Sequence, residues 1–418
     1  MVGCGGGCSS RASSVVFGMD ASAQRTLLIT LTGRDRPGVT SRLFSTLSRF
    51  PITVADVEQV VIRGRLVLGV LVGYDPGTDI GQVWTAAERV AADLDMEVEL
   101  STGREKRAPR RRGRLHVTIL GSPLLPAAMA GIAGRIAVYG ANIDRIERLA
   151  AHPVTCIEME VSGADPAGLG AALATEAAEQ QVDVAVQRAG LYRKAKRLIV
   201  MDVDSTLIQG EVIELLAGKT GCAEKVAEIT EAAMRGELDF EASLRERVAL
   251  LAGLNADMID EVRRSIELAS GARTFVRTLK RLDYKFAIVS GGFTQVTDAL
   301  VADLGIDYAA ANTLEIVDGK LTGRLTGPII DRAAKAAALR RFAADAQVPI
   351  NQTVAIGDGA NDVDMIKAAG LGIAYNAKPM VRQLADTAVN VPHMDAILFL
   401  LGISRDEIEA ADAEDAAD

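Results

Sequence analysis

Histidine, cysteine and aromatic side chains are scarce in this chain of 418 residues. The histidines are His116, His152 and His393, too scattered for a histidine-rich metal centre or a persuasive Ser-His-Asp triad. Four cysteines cannot make a disulfide scaffold at this length. Cys4 and Cys8 have no second pair nearby, so a thiolate metal site is not expected there, and Cys156 sits in an apolar, strand-like run and reads as core. Aromatic residues are 4% of the total, too few for the stacking platforms that hold single-stranded nucleic acid. No apolar run approaches the roughly 18 residues needed to span a bilayer. Excess positive charge is also missing: 46 Lys and Arg against 55 Asp and Glu leave a net charge of −9, where a nucleic-acid binder would lean basic.

What is present is a large apolar fraction, 49%, and an ordinary charged fraction, 24%. Sizeable cores follow, and at about 150 residues per domain the length suggests two or three of them. The balance points to a soluble, cytoplasmic enzyme that works with carboxylates and a hard metal ion, without nucleic acid or membrane as partner. Residues 1–23 are rich in Gly, Ser and Cys and lack an apolar centre; they read as a disordered leader, with Met19 as an alternative start, and not as a signal peptide.

Two stretches, 24–100 and 114–188, repeat one pattern. Each opens on a strand (Leu27–Leu31, Leu115–Leu120), continues into a helix, two further strand-like runs and a second helix, and reads as a ferredoxin-like βαββαβ unit. Between them residues 101–113 carry a basic run around Pro109. It is an anion-binding patch or a solvated linker, and the acidic remainder of the chain favours the linker.

From residue 194 the pattern changes. Leu198–Met201, Phe286–Val289 and Thr353–Ile356 are continuous apolar runs between longer helical ones, as expected of parallel strands buried on both faces. A helical insertion, about 211–272, separates the first two, and residues 406–418 form an acidic tail. The runs end in Asp202-Val203-Asp204-Ser205-Thr206, Ser290-Gly291-Gly292 and Gly357-Asp358-Gly359-Ala360-Asn361-Asp362. Ligands of open α/β sheets bind outside the carboxyl ends of strands. Other motifs fail: the first P-loop glycine position is Ile213, the third dinucleotide-loop glycine position is Asp362, and the calcium-loop glycine position is Leu207. Asp202, Asp204 and Asp358 are hard oxygen donors of the kind Mg²⁺ accepts beside phosphate oxygens. Two carboxylates in different environments suit a nucleophile and a general acid/base, provided the backbone turns after the strand. Ser290, the Gly291 amide and Lys335, near the start of an alanine-rich helix, are candidates to meet phosphoryl oxygens.

These motifs, in this order, resemble those of the haloacid dehalogenase superfamily of phosphatases. Glu211-Val212-Ile213-Glu214, Glu231 to Phe240 and Ser243 to Val248 resemble more narrowly its phosphoserine phosphatase family, and the two upstream repeats resemble ACT domains; the full arrangement resembles the mycobacterial type. The implied fold is a Rossmann-like α/β core over 194–405 with a helical cap, preceded by two ferredoxin-like ACT domains. The implied activity is Mg²⁺-dependent hydrolysis of O-phospho-L-serine to L-serine and phosphate, the last step of serine biosynthesis. By resemblance, Asp202 is the nucleophile that becomes an aspartyl-phosphate. Asp204 protonates the leaving oxygen, then activates water, and its carbonyl ligates Mg²⁺ with Asp202 and Asp358. Thr206 positions the loop, Asp362 acts behind the first ligands on Lys335 or a bound water, and Asn361 lines the pocket. Glu211 would take the substrate ammonium and Arg247 its carboxylate, with Met234 and Phe240 closing over them. From the residues alone, the favoured reading of Arg247 is an arginine laying its stem over the core edge. ACT domains imply an amino-acid effector, L-serine being the natural candidate, and a homodimer. In the first repeat Gly33, Asp35, Pro37 and Gly38 form the loop that would bind it; Gly121 to Pro126 in the second lacks that form, and the second copy reads as mainly structural. A related small-molecule phosphatase or phosphotransferase, and an amino-acid-sensing protein with a silent catalytic domain, are the alternatives.

Overall fold

The computed structural model describes residues 25–104, 113–191, 193, 195–234 and 239–415. The leader, most of the basic linker and residues 416–418 lie outside them. The chain divides into two compact units, one within residues 1–110 and the other within 111–418.

In the first unit β1 (Arg25–Arg34), α1 (Val39–Leu47), β2 (Ile52–Ile62), β3 (Arg65–Tyr74), α2 (Ile80–Asp93) and β4 (Glu97–Arg104) form an antiparallel sheet of order β2-β3-β1-β4 under two helices. Alternation sorts the faces: Leu27, Ile29 and Leu31 are buried with Val39, Leu43, Val83 and Ala87, while Leu28 is exposed. Gly38 begins α1 at φ 94, in the left-handed region that favours glycine. Gly33 is packed closely: a Cβ there would lie 2.8 Å from Met96 Cγ. Asp35 and Pro37 are exposed, and the Asp35 amide donates to the Gly64 carbonyl at 2.8 Å.

The second unit opens with the other βαββαβ repeat: β5 (Leu115–Gly121), α3 (Pro126–Val138), β6 (Asn142–Ala150), β7 (Thr155–Ser162), α4 (Pro166–Gln180) and β8 (Asp183–Arg188), in sheet order β6-β7-β5-β8. Cys156 is fully buried, as its apolar surroundings imply. The α/β domain follows: β9 (Leu198–Met201), then α5 (Val212–Thr220), α6 (Ala223–Met234), α7 (Phe240–Ala249) and α8 (Asp257–Ser265) in the insertion. Next come α9 (Ala272–Arg281), β10 (Lys285–Phe293), α10 (Thr294–Leu304), β11 (Tyr308–Val317), β12 (Lys320–Thr326), α11 (Arg332–Asp345) and β13 (Thr353–Gly357). The chain ends with α12 (Val363–Ala368), β14 (Gly372–Tyr375), α13 (Pro379–Leu384), β15 (Thr387–Val389), α14 (Ile397–Leu400) and α15 (Arg405–Asp415).

The sheet order is β12-β11-β10-β9-β13-β14-β15, parallel except for β12. Every residue of β9 is fully buried, which is why its sequence is continuously apolar rather than alternating. The chain leaves β9 for β10 on one side and returns to β13 on the other, so the switch point where such sheets bind ligands lies at the end of β9. The repeat is docked on this sheet at β8: both Asp183 carboxylate oxygens accept from Asn390, its amide at 2.6 Å and its Nδ2 at 2.5 Å, and Gln187 Nε2 donates to the Leu400 carbonyl at 2.8 Å. The stretch expected as an acidic tail is helical to Asp415, with Ile408 buried and Asp412 paired to Arg277 and Arg281 at 2.6 Å each.

Candidate active site

Three carboxyl ends of neighbouring strands meet at the switch point. The Asp202 amide extends the β9–β13 ladder by donating to the Ile356 carbonyl at 2.9 Å. Residues Val203–Leu207 then make one wide turn, closed by the Ile208 amide on the Val203 carbonyl at 3.0 Å, with Ser205 at φ 56. On a straight strand Asp202 and Asp204 would share a face, two positions apart, whereas the turn lets each reach the site by a different route.

Asp202 Oδ1 takes the Lys335 ammonium at 2.7 Å and the Val203 amide at 2.8 Å. Those contacts fall on one oxygen and leave Oδ2 as the oxygen with no partner among the described residues. Lys335, on α11, is fully buried and shares its Nζ with Asp362 Oδ1, also at 2.7 Å. Burial works against the ammonium, but Asp202 and Asp362 overcome it and hold its pKa above the ordinary value. Burial and the Asp362 charge raise Asp202 against the pull of Lys335. Asp204 is held differently: Oδ1 accepts the Val212 amide at 2.8 Å, at the start of the insertion, and Oδ2 accepts Ser290 Oγ at 2.9 Å. Its pKa is raised by burial, and these two donors pull it back. Thr206 Oγ1 donates to Asp358 Oδ1 at 3.0 Å. Asp358 is pushed up to about 6, first by burial and then by Asp362.

Carboxylate oxygens of Asp202, Asp358 and Asp362 lie within 4.8 Å of one another. Asp362 has both its oxygens engaged, on Lys335 and, at 3.0 Å, on the Gly359 amide, so Asp202 and Asp358 are the better first ligands. The donor set is all oxygen, and a single lysine is shared by two of these acids. That is the chemistry of a hard divalent cation, and the raised carboxyl pKa values mark a site short of positive charge.

The glycines are there for close approach. A Cβ on Gly292 would stand 2.8 Å from Asp204 Oδ2 and 2.9 Å from Ser290 Oγ, and one on Gly357 would stand 2.5 Å from Asp362 Cγ. Above the strands, Glu211 precedes α5 and receives a long hydrogen bond, 3.5 Å, from Ser205 Oγ. Burial, Asp204 and Asp358 push Glu211 up to about 7, against the pull of Arg247. Arg247, half-buried on α7, donates Nε weakly to its own helix at Ser243 O, 3.3 Å, and makes no ion pair among the described residues. Phe240, at the start of α7, lies over Gly291, its Cζ 3.3 Å from where a Cβ would be. Asn361, half-buried, has its Oδ1 2.2 Å from a Cβ placed on Gly359, a second close approach. Met234 ends α6, and its side chain lies outside the described residues. Gly33, Asp35, Pro37 and Gly38 belong to the first unit. A cavity of about 650 Å³ lies elsewhere, lined by Arg263, Arg264, Arg273, Leu300 and Asp303 among others. None of the strand-end residues lines it, and Arg263 and Arg273 are paired with Asp260 and Asp303.

Two partners of the site have no role assigned from the sequence. One is the Val212 amide on Asp204, inside a motif from which only Glu211 was given a role. The other is Asn312 of β11, whose Nδ2 donates to the Gly291 carbonyl at 2.8 Å. Its signal in the sequence is faint: a polar residue among alanines in a strand.

Residues 199–367 match the haloacid dehalogenase-like hydrolase family, and residues 25–101 and 115–187 each match ACT domains. A phosphoserine phosphatase of Streptomyces coelicolor is 59% identical over 94% of this chain and 96% of its own length. Phosphoserine phosphatase SerB2 of Mycobacterium tuberculosis is 50% identical over 94% of this chain and 97% of its own. Among solved structures, a probable phosphoserine phosphatase from Vibrio cholerae superposes with a TM-score of 0.55 at 37% identity, covering 69% of this chain and 86% of that one.

Proposed function

The chain belongs to the phosphoserine phosphatases, within the haloacid dehalogenase-like hydrolases, and from that premise we propose how its own residues hydrolyse O-phospho-L-serine. The observation that carries the reading is the separation of roles between two aspartates two positions apart. Asp202 keeps one oxygen on Lys335 and the other open, while Asp204 has both oxygens held by donors that orient it.

Asp202 Oδ2 attacks phosphorus and forms an aspartyl-phosphate as the serine oxygen leaves. Asp204 gives that oxygen its proton, then takes one from the water that cleaves the acyl phosphate. Ser290 Oγ, the Gly291 amide and Lys335 Nζ meet the phosphoryl oxygens, a preorganised set of donors in a buried site. Asp202, Asp358 and the Asp204 carbonyl would hold Mg²⁺, which would supply charge neutralisation at the phosphoryl group. Thr206 fixes Asp358, and Asp362 fixes Lys335. Glu211 takes the substrate ammonium and Arg247 its carboxylate, with Met234, Phe240 and Asn361 around them. Activity on phosphoserine well above that on phosphothreonine and an aryl phosphate is expected. Arg247→Ala should remove that preference; an equal loss on all three substrates would sink the substrate assignment. Asp202→Asn should abolish both turnover and phosphoenzyme; unchanged turnover would sink the mechanism, and a wild-type chain without turnover would leave the sensing alternative.

The reading extends to a cytoplasmic enzyme at the last step of serine biosynthesis, regulated through its ACT domains by L-serine or another amino acid at Gly33, Asp35, Pro37 and Gly38. A serine effect that is purely competitive with phosphoserine would belong to the catalytic pocket and count against that site. A homodimer is supported by β2, an edge strand whose Val54, Val57, Val60, Val61 and Ile62 are all exposed.

A further inference from the structure

Asn312 stands outside every motif by which the site was found, and it is 1% exposed. Its carboxamide is committed on both sides: Nδ2 donates to the Gly291 carbonyl at 2.8 Å, and Oδ1 accepts the Ile330 amide at 2.8 Å. Only one orientation of the amide satisfies both, because a carbonyl oxygen cannot donate and an N–H cannot accept. The first bond fixes a peptide that has no side chain to hold it. Gly291–Gly292 has the widest conformational choice of any dipeptide, yet here its carbonyl is held by Asn312 and its N–H donates to Ser290 Oγ at 2.7 Å. With that acceptor position filled, the Ser290 hydroxyl turns its one proton to Asp204 Oδ2 at 2.9 Å, a bond it exchanges for one to a phosphoryl oxygen when substrate enters. The second bond reaches another segment. Ile330 directly precedes Asp331, whose side chain caps α11 by accepting the Ala334 amide at 2.7 Å, one residue before Lys335.

We propose that Asn312 is a positioning residue for phosphoryl transfer. It fixes the plane of the Gly291–Gly292 peptide and ties that turn to the segment leading into Lys335. The Gly291 amide, the Ser290 hydroxyl and the Lys335 ammonium then meet the phosphoryl oxygens as one set. The proposal rests on the assignment of those three groups to the phosphoryl oxygens. Its physical basis is that donors stabilise a transition state only when their geometry is fixed beforehand, and a glycine pair cannot fix its own.

The test uses the full chain with its divalent cation. Asn312→Asp is isosteric and keeps the acceptor for the Ile330 amide, but sets a second acceptor against the Gly291 carbonyl. Asn312→Ala removes both bonds. Gln295→Ala is the control: Gln295 clamps β11 to α10 through the Leu314 carbonyl at 2.9 Å and the Leu314 amide at 3.3 Å, touching none of the phosphoryl groups. Both Asn312 variants should lose about 100-fold in kcat and a similar factor in inhibition by orthovanadate, a phosphoryl mimic, while Gln295→Ala lowers Tm with both within about twofold. A folded Asn312→Asp protein with wild-type kcat and vanadate inhibition would overturn the proposal, and so would parallel losses of stability and activity in the Asn312 and Gln295 variants. If Asn312→Ala does not fold, Asn312→Asp carries the test. Ser290→Ala separates the two readings: if it leaves kcat and vanadate inhibition intact, the phosphoryl assignment itself fails, whereas an impaired Ser290→Ala beside a normal Asn312→Asp removes only Asn312.

Discussion

A carboxylate attracts an ammonium only while it is ionised, and Glu211 is pushed up to about 7 by burial, Asp204 and Asp358. In the free enzyme, then, kcat/KM for phosphoserine should rise as pH passes through about 7. The substrate phosphate titrates nearby, so the comparison that isolates Glu211 is an aryl phosphate, which shares the phosphate and lacks the ammonium. Its profile should miss the limb that belongs to Glu211. Arg247 is the charge that pulls Glu211 down, so Arg247→Ala should move the phosphoserine limb to higher pH. Identical profiles for the two substrates would remove Glu211 from the ammonium site. At this scale the sequence was informative where chemistry forces an identity. Asp202, Asp204, Lys335 and Asp358 stand out from motif order, because the roles proposed for them admit no other side chain. Asn312 could not, since its role depends on a carbonyl 21 residues away, and nothing about an asparagine after alanines announces that contact.

Elements position these residues through turns, and the tolerance of the turns is small. Gly292 closes β10, and an added methyl there would meet Asp204 Oδ2 at 2.8 Å and Ser290 Oγ at 2.9 Å. Neither neighbour can retreat without leaving the hydrogen bond between them. Gly292→Ala should keep the fold, judged by its melting curve, and lower kcat by about 100-fold, the cost of displacing a reacting group by about an ångström. A Gly292→Ala enzyme with normal kcat would mean that the close placement of Ser290 against Asp204 is not part of the working geometry. The strands that end in these turns were legible because a strand buried on both faces is continuously apolar, as β9 and β13 are. The strand β11 was not: its burial is mixed along its length, it turns from a parallel partner to the antiparallel β12, and its one apolar run, Tyr308 to Ala311, is mostly alanine and not fully buried. The wide turn after β9 could be required from the chemistry of Asp202 and Asp204 but not drawn, because its geometry rests on Ser205 at a positive φ.

Across the whole chain, periodicity revealed both βαββαβ repeats, but not the docking of the second one beside β15. That docking runs through Asp183 and Asn390, 207 positions apart, and single polar residues at such a distance leave no pattern. The net charge of −9 likewise says nothing of how acids are concentrated, and the concentration sets a linkage between pH, metal and stability. Asp358 titrates at about 6 and Glu211 at about 7 when folded, each pushed up first by burial. Asp202 and Asp204 are raised in the same direction. Unfolded, such groups titrate near about 4, so between about 4 and 7 the folded chain binds more protons and loses stability as pH rises. Burial raises Asp183 in the same direction, whereas Glu158 and Lys196 act outside this window: His116 and Arg193 hold Glu158 at about 2 against its burial, and burial lowers Lys196 to about 8. With chelator present, Tm should therefore fall by about 5 °C between pH 5 and pH 7.5. A divalent cation binds the ionised carboxylates of the folded state alone, so it competes with those protons. Millimolar Mg²⁺ should raise Tm more at pH 7.5 than at pH 5 and flatten the fall. An equal Mg²⁺ shift at both pH values would mean that the ion is not held by these carboxylates, because protons and metal would then not be competing for the same oxygens.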